Sequence, residues 1–260
     1  MPPNPHIRGV TQVSGVPTPT TSSHESAMIG IAPHDAGQTR AQLTAFTSAL
    51  LAEEKHVAGF PGNLAFDLDD YFADHLSVFV NNVGDPTSGD ASGVSSKRFE
   101  RAVIDFFIDL TRGNPHDTYG YVTSGGSEAN LHALATARSV LPDAPVYLSA
   151  AAHESVAVNA DLLRMRSVVV PTLDDDSMDP DALSALTGGG RDGAIVVATI
   201  GTTMCGANDD LVALRQAASA AGPVYVHVDA ALSGLIAPFA PSLIAWDFGD
   251  QADSIAISGH

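Results

Sequence analysis

Five short runs built almost wholly from apolar and β-branched residues set the strongest limit on how this chain can fold. They are "VYLS" (146–149), "SVVV" (167–170), "AIVVATI" (194–200), "VYVHV" (224–228) and "SIAIS" (254–258), with a sixth, "YGYVT" (119–123), ahead of them. None shows the strict apolar–polar alternation of a strand with one wet face, so each is read as a strand buried on both sides. Longer stretches with helical spacing separate the runs, including one from about Ser127 to Leu141 and another beginning near His153. This alternation predicts an α/β fold: a mainly parallel sheet with helices on both faces. Ligands of such sheets collect outside the carboxyl ends of the strands, so the residues just after each run carry the chemistry.

The upstream third reads differently. Residues 1–36 lack hydrophobic periodicity and are read as a flexible arm. Thr39 to Glu54 has helical spacing through Leu43, Phe46, Leu50 and Leu51. A second helix is expected in "SSKRFERAVIDFFIDLTRG", opened by Ser95 or Ser96 and stopped by Gly113. Its buried face would hold Phe99, Val103, Phe106, Phe107 and Leu110. Residues 37–112 thus form an expected N-terminal helical segment, and 113–260 the ligand-binding α/β domain.

Charge narrows the partners. With 30 acidic against 12 basic residues the formal net charge is −18, which repels nucleic-acid phosphates and anionic membrane surfaces. No run approaches the roughly 18 apolar residues of a membrane span, and Met1 to Ser26 lacks a signal-peptide pattern. A single cysteine, Cys205, excludes an intrachain disulfide and a multi-cysteine zinc site. A cytoplasmic location is expected.

The strand ends then supply donors, an acid and small residues. Ser124-Gly125-Gly126-Ser127 opens a helix, where close backbone approach, hydroxyls and the helix dipole suit an anion; ordinary capping is the alternative. His153 follows "VYLS" and is either a satisfied structural residue or a flat ring that stacks on a ligand. Thr202 and Thr203 follow "AIVVATI", and Asp229, with Ala230 and Ala231, follows "VYVHV". Asp229 either caps the next turn or meets a ligand. His227 and Asp229 share a strand face, but no third ligand is patterned beside them, so no metal site is assigned.

Taken in order, "YVTSGGSEANLHAL", "AAHESVAVNADLLRM", "ATIGTTMCGANDDL", "HVDAALSGLIAPF" and "DSIAISGH" resemble the group II pyridoxal-phosphate-dependent amino acid decarboxylases, of the fold-type I aminotransferase-like superfamily. The likeness is strongest to histidine decarboxylases and their serine- and valine-decarboxylase-like relatives. The resemblance implies a seven-stranded-type large-domain sheet, pyridoxal 5'-phosphate as cofactor, an amino acid substrate and a homodimer. It implies that Gly126 and Ser127 hold the cofactor phosphate, with Ser258 and His260 reaching it from the other side. His153 would stack on one face of the pyridine ring and Ala231 support the other. Asp229 would pair with the ring nitrogen, and Thr203 would lie beside the ring. On this reading His153, Asp229 and His260 take part in catalysis.

Family segments lining the substrate entrance correspond to "GFPGNLAFDLDDYF" and "NNVGDPTSGD", which makes Phe60, Asn63, Leu64, Asn81 and Asn82 the substrate candidates. The family pattern continues after His260 with the Schiff-base lysine; Lys55 and Lys97 both precede the cofactor-binding unit. The rest of the large domain and the small C-terminal domain are absent from this chain, so it is read as a portion of an active enzyme. Two other readings stay open: a truncated, inactive cofactor-binding fragment, and an α/β-hydrolase-type serine esterase using Ser127, Asp229 and His260 in that chain order.

Overall fold

A computed structural model describes residues 36–54, 56, 74, 78, 80, 82–88, 95–240 and 244–259. The chain divides into two units, Met1–Ala58 and Gly59–His260. In the first, helix α1 runs Ala36–Glu54 and carries the expected apolar positions Leu43, Phe46, Leu50 and Leu51, all exposed.

The second unit is built on five parallel strands: β1 (Val146–Ser149), β2 (Ser167–Val170), β3 (Ala194–Thr199), β4 (Val224–Ala230) and β5 (Ser254–Ile257). Their order in the sheet is β2-β1-β3-β4-β5. Every pairing is parallel, as the unbroken apolar runs require. Helix α2 (Lys97–Leu110) and helix α3 (Gly126–Val140) precede the sheet. Parallel neighbours need crossovers, and α4 (Glu154–Leu162), α5 (Pro180–Thr187) and α6 (Leu211–Ala218) lie between successive strands from β1 to β4.

Alternate residues of one strand feed opposite layers. Val146 and Leu148 of β1, Ile195 and Val197 of β3, and Tyr225 of β4 pack with Leu134 of α3 and Val156 of α4. Tyr147, Val196, Val226 and Val228 pack on the other side with Leu183 of α5, Leu211 and Leu214 of α6, and Trp246. His227 and Asp229 continue the period of Tyr225 and therefore face the α3 layer. All six residues of β3 are buried, whereas edge strand β2 exposes Ser167 and Val169.

Two expectations are corrected. "YGYVT" forms no strand: the sheet has five strands among the described residues. A strand needs a ladder partner, and here the Val122 N–H donates to Glu100 Oε1 at 3.0 Å while the Tyr119 hydroxyl donates to Asp85 Oδ2 at 2.8 Å. Between this segment and β5 lies a groove of about 590 Å³, with Tyr121 and Val122 on one wall and Ile255 and Ile257 on the other. The second correction concerns α2, where Phe99, Val103 and Phe106 are exposed and Ile108 is the buried apolar residue. Its apolar positions Val103 and Phe107 border the groove instead of a filled core.

Two local devices shape the strand ends. Asp209, 2% exposed, accepts from the Met178 N–H at 2.6 Å and the Thr199 N–H at 2.7 Å, which fixes the loop after β3. Burial raises its pKa against the pull of those two bonds. Gly201 has φ +86°, and a Cβ there would fall on Ser233 Oγ. Both strain and overlap therefore oppose any side chain at this position. Gly201→Ala is expected to destabilise the fold by more than about 1 kcal/mol; an unchanged urea midpoint would contradict this account of the turn.

Candidate active site

The expected residues converge on one rim. Helix α3 starts there with Gly125 as its N-cap, in extended conformation and without a side-chain cap. The N–H groups of a first helical turn have no intrahelical acceptor and carry the positive end of the dipole, so they point at whatever occupies this end. A Cβ on Gly125 would meet nothing within 4 Å, while one on Gly126 would stand 3.2 Å from the Ala231 Cβ. Gly125 thus faces open space, and Gly126 lets α3 approach the end of β4. The acid of this first turn, Glu128, is turned back: its Oε2 accepts from the Ser124 N–H at 2.8 Å and the Ser124 hydroxyl at 2.5 Å. Those bonds hold its pKa below the ordinary value.

Four of the five strands then contribute groups, β2 being the exception. His153, after β1, is the N-cap of α4; its Nδ1 accepts from the Ser155 N–H at 3.2 Å and lies 2.8 Å from the Ser155 Oγ. Asp229, 4% exposed near the end of β4, accepts at Oδ2 from Asn130 Nδ2 (2.8 Å) and at Oδ1 from the Ala231 N–H (3.2 Å). Thr199 of β3 is in register with Asp229, and its buried Oγ1 has no hydrogen-bond partner. Thr203 and Ser258 follow β3 and β5.

Gly126, Ser127, His153, Thr203, Asp229, Ala231 and Ser258 all line one cavity of about 360 Å³. His260 lies outside the described residues, as do Phe60, Asn63, Leu64 and Asn81. Asn82 is elsewhere: its Oδ1 accepts from the Ser96 N–H and hydroxyl, each at 2.8 Å, at the start of α2, and it does not line this cavity. Sequence reading missed Asn130 and Thr199. Asn130 could have been found from its spacing, since it sits one turn after Gly126 and so shares that residue's helix face. Thr199 precedes the Gly-Thr-Thr turn, and nothing in its neighbourhood distinguishes it from a core strand residue.

His227 completes the cluster. It is fully buried, with Nε2 3.0 Å from Asn130 Oδ1 and Nδ1 2.9 Å from Ser254 Oγ. Burial lowers its pKa to about 4, against the opposing attraction of Asp229. Among the described residues no group of three or more His, Cys, Asp or Glu could hold a metal ion.

The fold and rim define a parallel α/β protein whose cavity is suited to a ligand with an anionic tail at one end and a basic or cationic atom at the other. Residues 102–260 match the family described as pyridoxal-dependent decarboxylase conserved domain. The chain is 38% identical over 207 residues to a serine decarboxylase 3 of Oryza sativa subsp. japonica, covering 78% of this chain and 46% of the relative. It is 39% identical over 205 residues to a histidine decarboxylase of Mesorhizobium japonicum, covering 78% and 55%. The structure of L-methionine decarboxylase from Streptomyces sp. 590 superposes with a TM-score of 0.80 at 21% identity, over 90% of this chain and 67% of that one, a likeness of fold. The chain belongs to the pyridoxal-dependent decarboxylase family, and it spans about half the length of the curated relatives it matches. The serine-esterase reading is not favoured.

The residues present fit pyridoxal phosphate. The uncapped helix end and nearby hydroxyls suit its phosphate, the buried carboxylate suits its ring nitrogen, and the unpartnered Thr199 hydroxyl shows that the cavity wall keeps unused hydrogen-bonding capacity.

The buried histidine has a measurable consequence. Its folded pKa is depressed from 6.5 to about 4, so its neutral form is the native one. The stability this confers is full above about pH 6.5 and is lost as pH falls towards 4, by up to about 3 kcal/mol. Urea midpoints should drop across that window in the parent and less in His227→Gln; equal pH slopes would refute the assignment.

Proposed function

We propose that this chain supplies the cofactor-binding part of a pyridoxal-phosphate-dependent L-amino acid decarboxylase, releasing the amine and carbon dioxide. The observation that carries the reading is a single cavity with an uncapped helix N-terminus at one end and a buried carboxylate, bonded to that same helix one turn later, at the other. In it, the first-turn N–H groups at Gly126 and Ser127, with the hydroxyls of Ser127 and Ser258, bind the phosphate. His260 joins them on the family pattern.

When bound, pyridoxal phosphate supplies an electron sink for the pair left behind as carbon dioxide departs. The protein's part is to hold and polarise the ring. Asp229 favours a proton on the ring nitrogen by direct charge attraction. His153, whose ring is held through Nδ1 by Ser155, covers one ring face; Ala231, pressed against Gly126, limits the other. Thr203 borders the ring edge.

Histidine is the first substrate proposed, with serine and valine next. Support comes from relatives named as histidine and serine decarboxylases. Phe60, Asn63, Leu64 and Asn81 remain the proposed substrate-side residues; Asn82, held by Ser96 at the start of α2, is dropped from them. A homodimer is proposed as the working form, supported by the exposed apolar side chains Leu43, Phe46, Leu50 and Leu51 on α1. Sedimentation should give twice the chain mass, and Leu50→Glu should lower it; a parent that sediments as a monomer would remove the dimer.

The activity is tested with the full-length gene product and added cofactor, by measuring amine formed from histidine, serine and valine. Histidine should be turned over fastest. Asp229→Ala should lower kcat by a factor of about 100 to 1,000, the range seen on removing one preorganised electrostatic group. Near-parent turnover in that variant would sink the role given to Asp229.

A further inference from the structure

We propose that Asn130 is a positioning residue, locked by the His227–Ser254 pair, that aims the Asp229 carboxylate at the ring nitrogen of the bound cofactor. The inference rests on the cofactor reading above and deepens it.

The argument begins with direction. A side-chain amide has a donor end and an acceptor end, and a carboxylate only accepts. The 2.8 Å contact to Asp229 Oδ2 must therefore come from Asn130 Nδ2–H, which leaves Oδ1 to accept from His227 Nε2–H at 3.0 Å. With that proton on Nε2, His227 Nδ1 is an acceptor, and the Ser254 hydroxyl 2.9 Å away donates to it. Hydroxyl, imidazole, amide and carboxylate form one chain in which every hydrogen bond runs the same way. Reversing the amide would set its oxygen against the carboxylate, which has no proton to donate.

Burial makes that direction compulsory. His227 is fully buried, Asn130 is 2% exposed and Asp229 4%. Water has little access to replace a lost partner, and an unsatisfied polar group here costs its full desolvation.

Charge explains why an amide serves. Among the described residues, no Lys or Arg forms an ion pair with Asp229. Its donors are the Asn130 amide and the Ala231 N–H, both neutral, and burial keeps His227 neutral as well. The carboxylate is oriented without being neutralised. Each oxygen has one donor in the structure, and two carboxylate oxygens have room for more. A protonated ring nitrogen would therefore meet an undiminished negative charge held in one orientation.

The test uses the full-length protein loaded with pyridoxal phosphate labelled with ¹⁵N in the ring, whose chemical shift reports protonation of that nitrogen whether or not the enzyme turns over. The parent should show a protonated ring nitrogen. Asn130→Leu and His227→Phe should move the signal towards the neutral pyridine and lower kcat at least tenfold, with KM changed less than threefold. His227→Gln retains an N–H near the position of Nε2 and should restore the parent signal. Circular dichroism checks folding, and Asn130→Ala replaces Asn130→Leu if the bulkier variant fails to fold.

A parent-like ¹⁵N signal in the folded Asn130 variant, or equal signals in His227→Phe and His227→Gln, overturns the positioning role while leaving the cofactor reading intact. A parent that does not bind the probe, or binds it with an unprotonated ring nitrogen, overturns that reading and this inference with it.

Discussion

The parallel pairing of β3 with β4 is the constraint from which the site follows. Six residue pairs stand in register, from Ala194↔Val224 to Thr199↔Asp229. Because the strands run the same way, the chain leaves both at one rim, and the connections that follow must start there. Asp229, Thr199 and the Gly201 turn are neighbours for this reason alone. The same register sets the faces: once Tyr225 and Val197 pack under α3 and α4, the period of two places His227, Asp229 and Thr199 on that side as well. A slip of one residue would turn the carboxylate into the α5–α6 layer, away from the helix that binds it.

Most of the central architecture was legible because one physical signal, burial on both faces, marks parallel strands in plain composition. "AIVVATI" and "VYVHV" could be little else. The signal fails at the margins of the sheet. "YGYVT" has the right residues but forms no ladder among the described residues, and composition cannot show whether a partner is present. On α2, the positions of Phe99, Val103 and Phe106 have the spacing of a buried face, yet spacing says nothing about whether a second surface meets it. That the residues adjoining the strand ends would share one cavity was legible from the ordered set of motifs. Asn130 carries no motif of its own; its one sequence signal is its place one turn after Gly126, and its bond to Asp229 exists only because α3 packs against β4.

Electrostatics pose an apparent conflict: a chain of net charge −18 is proposed to hold an anionic cofactor. Its resolution lies in distance. Exposed charges beyond about 8 Å are largely screened at physiological ionic strength, so most of the 30 acids act weakly at the cavity. What acts there is local, and none of the cavity-lining residues is Lys or Arg. Binding of a phosphate by the described residues therefore depends on the α3 dipole and on neutral donors. Glu128, the acid of the first turn, favours the helix dipole, and its Oε2 is held by the Ser124 N–H and hydroxyl.

The two ends of the cavity follow one rule from opposite sides. At the helix entrance the protein offers an anion dipoles without a formal positive charge, and at Asp229 a formal negative charge is held by dipoles without a formal partner. Neither end is neutralised by the protein itself, so each retains its field for the ligand. A buried carboxylate oriented by neutral donors is costly to hold when the site is empty, because its charge is desolvated and uncompensated. That cost is relieved when a cationic atom arrives, and the relief is greater than it would be for a carboxylate already paired with arginine. On the proposed reading, the structure thus leaves a buried, unpaired carboxylate where a positively charged ring nitrogen would gain from meeting it.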